Sequence, residues 1–90
     1  MRLLLIEDDQ KIASFIAKGM KENGFMVDHC SNGNDGLDLA LSEPYDAAIV
    51  DLMLPGLDGL KVIEAIRAKG KDFPVLILSA KQSVDDRVIG

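Results

Sequence analysis

The stretch Ala47-Ala48-Ile49-Val50-Asp51-Leu52-Met53-Leu54-Pro55-Gly56 decides how this chain is read. Its first four residues make an apolar run of strand length, and a run that is apolar on both faces suits a parallel strand covered by helices. The run ends in a carboxylate, Asp51, and passes at once into an apolar loop turned by Pro55-Gly56. An acid delivered to a strand end in front of a rigid loop is a candidate site residue.

Toward the N-terminus the pattern repeats, with Leu3-Leu4-Leu5-Ile6 running into the acidic triplet Glu7-Asp8-Asp9. Arg2 to Ile6 reads as a strand, and Asp9 as the cap of a helix with Ile12, Phe15, Ile16 and Met20 at helical spacing. Asn23-Gly24 stops that helix, and Phe25 to Cys30 forms a second strand. Ser31-Asn32-Gly33 then opens a helix carrying Leu37, Ala40 and Leu41 up to Pro44, after which Tyr45 or Asp46 opens the third strand.

Beyond Pro55-Gly56, Asp58 to Lys69 turns Leu60, Ile63 and Ile66 inward and Lys61, Glu64 and Lys69 outward, and Gly70 closes the helix. Pro74 starts a fourth strand, Val75-Leu76-Ile77-Leu78, which ends at Ser79-Ala80-Lys81; Ser83 and Asp86 mark the capping box of a fourth helix. Met20, Met26 and Phe15 read as core fillers. Alternating strands and helices predict a parallel sheet with right-handed crossovers, in which ligands lie outside the carboxyl ends of the strands. Glu7, Asp8, Asp51 and Ser79 all fall there.

Composition narrows the function classes. With 90 residues, 48% hydrophobic and 28% charged, the chain reads as one small soluble domain. No apolar run approaches the roughly 20 residues of a membrane span and the N-terminus has no signal-peptide pattern, so a cytoplasmic protein is expected. A net charge of -5, with no basic run, lacks the electrostatic footprint of a nucleic-acid binder. The single cysteine, Cys30, sits in an apolar stretch and reads as a buried thiol; His29, the single histidine, reads as an exposed strand position outside the site.

The strand-end acids carry the chemistry. Carboxylates crowded together raise one another's pKa values and repel, so such a cluster implies a bound cation. Oxygen ligands alone point to a hard ion. Mg²⁺ suits one or two carboxylates, keeps several waters and shares its shell with phosphate, which points to phosphoryl chemistry. In-line transfer needs a nucleophile, neutralisation of the equatorial oxygens and donors around them, and Asp51, Mg²⁺ and Ser79 supply most of that. Asp9 reads as a helix cap rather than a ligand.

Three motifs in order, Leu-Leu-Ile-Glu-Asp-Asp at 4–9, Asp51-Leu52-Met53-Leu54-Pro55-Gly56 with Asp58-Gly59, and Leu78-Ser79-Ala80-Lys81, give the chain a family likeness. It resembles the receiver domain of bacterial two-component response regulators, of the subfamily with a C-terminal winged-helix DNA-binding domain. The resemblance implies an α/β, flavodoxin-like doubly wound sheet, here with strand order 2-1-3-4 and the fifth strand and helix missing. It makes Asp51 the phosphoacceptor, with Glu7 and Asp8 holding Mg²⁺ directly or through water and Met53 lending its backbone carbonyl. Ser79 would hydrogen-bond a phosphoryl oxygen, Ala80 would leave that group room, and Lys81 would lie at the mouth of the site.

The partner so implied is a sensor histidine kinase, and DNA would be met only through a C-terminal domain absent from the sequence. Family receivers continue to a fifth strand that ends in a phosphoryl-pairing lysine, so residues 1–90 are expected to be a receiver incomplete at its C-terminus. Its fourth strand would then be an exposed apolar edge, favouring self-association or a domain-swapped dimer. The alternative function is a phosphorylation-independent interaction module. A nucleotide- or flavin-binding domain fits less well, because the loop after the first strand is acidic rather than glycine-rich. An aspartyl phosphatase lacks its acid, since Met53 stands two residues after Asp51.

Overall fold

The computed structural model describes residues 1–78. Four strands and three helices alternate: β1 (Arg2–Ile6), α1 (Gln10–Glu22), β2 (Met26–Cys30), α2 (Gly33–Ser42), β3 (Ala47–Asp51), α3 (Gly59–Ala68) and β4 (Val75–Leu78). The strands make one parallel sheet in the order β2-β1-β3-β4, as the resemblance implies. Leu4 lies beside Asp28 and Ala48, and Asp51 beside Leu78. The crossover after β1 runs outward to β2, and the chain then returns past β1 to β3, so the sheet reverses its direction of growth between β1 and β3. Ligands of such sheets bind at that reversal, beyond the carboxyl ends of the strands.

The two-residue period of a strand divides the core. Leu3, Leu5 and Ile49 meet Ala13, Ile16, Ala17 and Met20 of α1 on one face. Leu4, Ile6, Ala48 and Val50 meet Ala40 of α2 and Val62 and Ile66 of α3 on the other. Leu3 to Ile6 are all essentially inaccessible to water, so β1 is a central strand covered on both faces.

Each helix starts where a short polar side chain caps it. Asp9 accepts from the amides of Lys11 and Ile12, Asn32 from Asp35 and Asp58 from Lys61. The stops are glycines in the left-handed region, Gly24 at φ 90° after α1 and Gly70 at φ 82° after α3. At the amino-terminal rim, Arg2 holds Asp28 at 2.7 Å and Glu43 at 3.2 Å, with its guanidinium over the Tyr45 ring. The Tyr45 hydroxyl donates to the same Asp28 carboxylate at 2.7 Å, so one cluster ties β1, β2 and the segment before β3.

Three expected core residues are not in the core. Phe15 is 81% exposed, because the buried stripe of α1 runs through Ala13, Ile16, Ala17 and Met20 and position 15 points off it. Met26 begins the outer strand β2 opposite Arg2, at the rim of the sheet, and stays exposed. Leu60 is also exposed; α3 buries Gly59, Val62 and Ile66, positions spaced by three and four, and Leu60 falls between them. Met20 does pack against the core as expected. On β4, Leu76 and Ile77 are both exposed.

Candidate metal and phosphoryl site

β3 ends at Asp51 and β1 ends one residue before Glu7, so neighbouring strands bring both acids to the same edge. Glu7 is 2% exposed and Asp51 3%. Asp8, half-buried, follows in the bend before α1. One carboxylate oxygen from each of Glu7, Asp8 and Asp51 lies within 4.8 Å of the others. Opposite ligands of an octahedral ion at about 2.1 Å sit about 4.2 Å apart, so oxygens within 4.8 Å of one another need close in only slightly to share one Mg²⁺. An all-oxygen donor set of this kind selects a hard cation.

Local hydrogen bonds hold the acids in place. Glu7 Oε2 accepts from the Asp9 amide at 2.9 Å, and Asp51 Oδ1 accepts from the Met53 amide at 2.9 Å. The second bond folds the loop after β3 back over its own carboxylate. Burial pushes the Glu7 carboxyl up to about 7, helped by the Asp51 charge and by hydrogen bonds to Asp51 and Asp8, against the pull of the Asp9 amide. A carboxyl held in that range is one whose charge wants a counter-ion.

Glycine sets the depth of the loop. A Cβ on Gly59 would lie 2.2 Å from the Asp51 carbonyl oxygen and 2.8 Å from Leu52 Cα, so α3 can start directly against the back of Asp51 only with glycine there. Gly33, the first residue of α2, has the Leu57 carbonyl oxygen 1.8 Å from its Cβ position and so seats the other end of the loop. In the sequence Gly59 stands only as part of the Asp58-Gly59 motif, with no role of its own. The usable signal was a glycine at the first helical position, where propensity disfavours it.

The structure thus brings together Glu7, Asp8 and Asp51, with Met53 on the adjoining loop, half-exposed and tied to Asp51 through its amide. Ser79, Ala80, Lys81 and the expected helix from Ser83 lie outside the described residues. His29 is exposed, as expected, yet its Nε2 lies 2.8 Å from the Glu7 carbonyl oxygen, a contact with no signal in the sequence. Cys30 is buried, and burial raises its thiol pKa, which suits an inert core residue.

Comparison with known proteins places this geometry. The transcriptional regulatory protein HprR of Escherichia coli K12 is 46% identical over 90 residues, covering all of this chain and 40% of that protein. The chain therefore spans about two fifths of the length of such relatives. Among solved structures, the receiver domain of the Francisella response regulator 1452 matches with a TM-score of 0.85 at 34% identity, over 98% of this chain and 73% of that one. The receiver domain of the Pseudomonas aeruginosa sensor histidine kinase PA1611, which holds a magnesium ion in its active-site cleft, matches with a TM-score of 0.87 at 29% identity, over 97% and 73%. The response regulator receiver domain model matches residues 3–90, and the chain belongs to that family, the phosphoacceptor switch domains of two-component response regulators.

Proposed function

We propose that Asp51 is the phosphoacceptor, that Glu7, Asp8 and Asp51 hold Mg²⁺ together with the Met53 backbone carbonyl, and that a cytoplasmic histidine kinase is the donor. The observation that carries this is the buried Asp51 carboxylate with Glu7 and Asp8 oxygens within 4.8 Å of it. The magnesium in the PA1611 receiver cleft supports the choice of ion. Mg²⁺ in such a site supplies charge neutralisation for the carboxylates and for the equatorial phosphoryl oxygens.

The residues divide the rest of the work. An Asp51 oxygen attacks the phosphorus of a phosphohistidine, and the P–N bond breaks opposite it. The electron pair passes to the imidazole, which is protonated by solvent, and Asp51 is left as an acyl phosphate. The loop tied by the Met53 amide to Asp51 Oδ1 fixes which carboxylate oxygen stays engaged with the backbone. By resemblance, Ser79 donates to a phosphoryl oxygen, Ala80 leaves it room and Lys81 stands at the mouth of the site. Domains of this kind are switches rather than classical enzymes, and this one assists its own phosphorylation and dephosphorylation.

The output in this reading is transcriptional, in keeping with the transcriptional regulatory proteins the chain matches, and the resemblance implies a C-terminal DNA-binding domain as the means. No helix among the described residues is long and apolar enough to cross a membrane. The exposed Leu76 and Ile77 on β4 favour self-association through that edge as a second property of the chain. A monomer by light scattering at high concentration would remove that part.

The test of the main reading is intact mass after incubation with Mg²⁺ and a small phosphodonor. We expect the gain of one phosphoryl group, dependent on Mg²⁺ and lost in Asp51→Asn. Equal labelling of Asp51→Asn would move the acceptor elsewhere and refute the assignment.

A further inference from the structure

We infer that His29 is a positioning residue for the cation site, acting through the peptide of Glu7; the inference rests on the Mg²⁺ reading above. β1 ends at Ile6, and Glu7 continues beyond it with its amide donating to the Cys30 carbonyl at 3.0 Å. In a parallel ladder the next rung would run from the amide two residues past Cys30 to the carbonyl of Glu7. That residue is Asn32, which lies past the end of β2 and caps α2, and the β1–β2 pairing stops at Ile6 and Cys30.

The Glu7 carbonyl instead lies 2.8 Å from the His29 imidazole Nε2. A carbonyl oxygen can only accept, so Nε2 carries the proton and donates. β2 therefore holds residue Glu7 at both its amide and its carbonyl, through the Cys30 carbonyl and the His29 ring. The backbone so held carries the Glu7 side chain and leads directly into Asp8, two of the three clustered acids.

A residue that orients a ligand without touching the ion changes affinity rather than fold. His29 is exposed and belongs to neither core cluster, so its removal leaves the packing intact. The second grip on the Glu7 peptide is what disappears. A hydrogen bond of ordinary net strength corresponds to about fivefold in an equilibrium constant, and that is the loss expected in Mg²⁺ affinity.

The experiment compares wild type, His29→Ala and His29→Gln by Mg²⁺ titration, with the Glu7 carbonyl ¹³C shift recorded in metal-free protein. Expected are Mg²⁺ binding weakened about fivefold in His29→Ala, a moved Glu7 carbonyl shift, a melting temperature lowered only by what one hydrogen bond contributes, and recovery of both affinity (to within about twofold) and melting temperature in His29→Gln, whose side-chain N–H₂ reaches the same carbonyl. Wild-type affinity in His29→Ala, or no recovery in His29→Gln, overturns the role of His29 while leaving the acidic site standing. Wild-type protein that binds no Mg²⁺ overturns the site reading and this inference together.

Discussion

Replacing Glu7 by Gln should make the metal-free protein more stable and the Mg²⁺-loaded protein less so. Glu7 sits 2% exposed among two other carboxylates, and its carboxyl is raised from 4.5 to about 7. At about 1.4 kcal/mol per pH unit, its ionised form costs the folded protein up to about 3 kcal/mol. Because the folded state holds this proton more tightly than the unfolded state, stability falls as pH rises from about 4.5 to about 7 and then levels off. Gln keeps the volume and can donate to Asp8 and Asp51. In chelator at pH 8, Glu7→Gln should therefore gain about 1 to 3 kcal/mol, shrinking below about 1 kcal/mol at pH 5, where Glu7 is already protonated.

Urea denaturation at the two pH values reads this directly. Saturating Mg²⁺ should reverse the order, since an ion at a thousand times its dissociation constant adds about 4.1 kcal/mol to the wild type and much less to a variant lacking one charged ligand. A Gln variant no more stable than wild type at pH 8 in chelator would refute the argument that the acids strain the metal-free fold.

Gly59→Ala should destabilise by about 1 to 3 kcal/mol in urea, because the new methyl meets the Asp51 and Leu52 backbone, which cannot rotate away. A more stable variant, as helix propensity alone would give, would show that the close approach is not real. Tyr45→Phe should cost about 1 kcal/mol at neutral pH, since its hydroxyl is the main cause that keeps the Asp28 carboxyl below its usual value, ahead of Arg2. The loss should fade as pH falls through the depressed Asp28 pKa, because a carboxyl favoured in its charged form contributes only while charged. A pH-independent difference would assign the cost to packing instead.

Most of the fold and the acidic part of the site were legible because they rest on short-range rules. Runs such as Leu3 to Ile6 and Ala47 to Val50 read as strands buried on both faces, and the cap at Asp9 and the turns at Asn32-Gly33 and Pro55-Gly56 marked helix starts. Strand ends carrying Glu7, Asp8 and Asp51 pointed to one edge before any contact was known. Less legible was the rotation of each helix. Phe15 and Ile16 both satisfy an apolar pattern, and only the placement of Ala13 and Ala17 against Leu3 and Leu5 decides which of the two turns outward. Side chains that act on backbone carry no periodicity at all. His29 reaches Glu7 across two strands, and Gly59 presses on Asp51 through a contact that exists only once α3 is docked.

The position of the acids also explains why so apolar a core can carry them. A carboxylate in the middle of β1 or β3 would sit among residues such as Leu4 and Val50, fully out of water and without donors. At the strand ends, with Glu7 one residue past β1 and Asp51 the last residue of β3, the chain turns, and its own next amides become donors: Asp9 to Glu7, and Met53 to Asp51. The strand beneath fixes where each acid is, and the turn above supplies part of its solvation. What the turn leaves uncompensated is the repulsion among three acids at one edge, which a cation would relieve, so under the proposed reading the site gains stability as it fills. An ion bound there would meet a loop already held against Asp51 by the Met53 amide and by the close approach of Gly59, so the acid it needs is in place before it arrives.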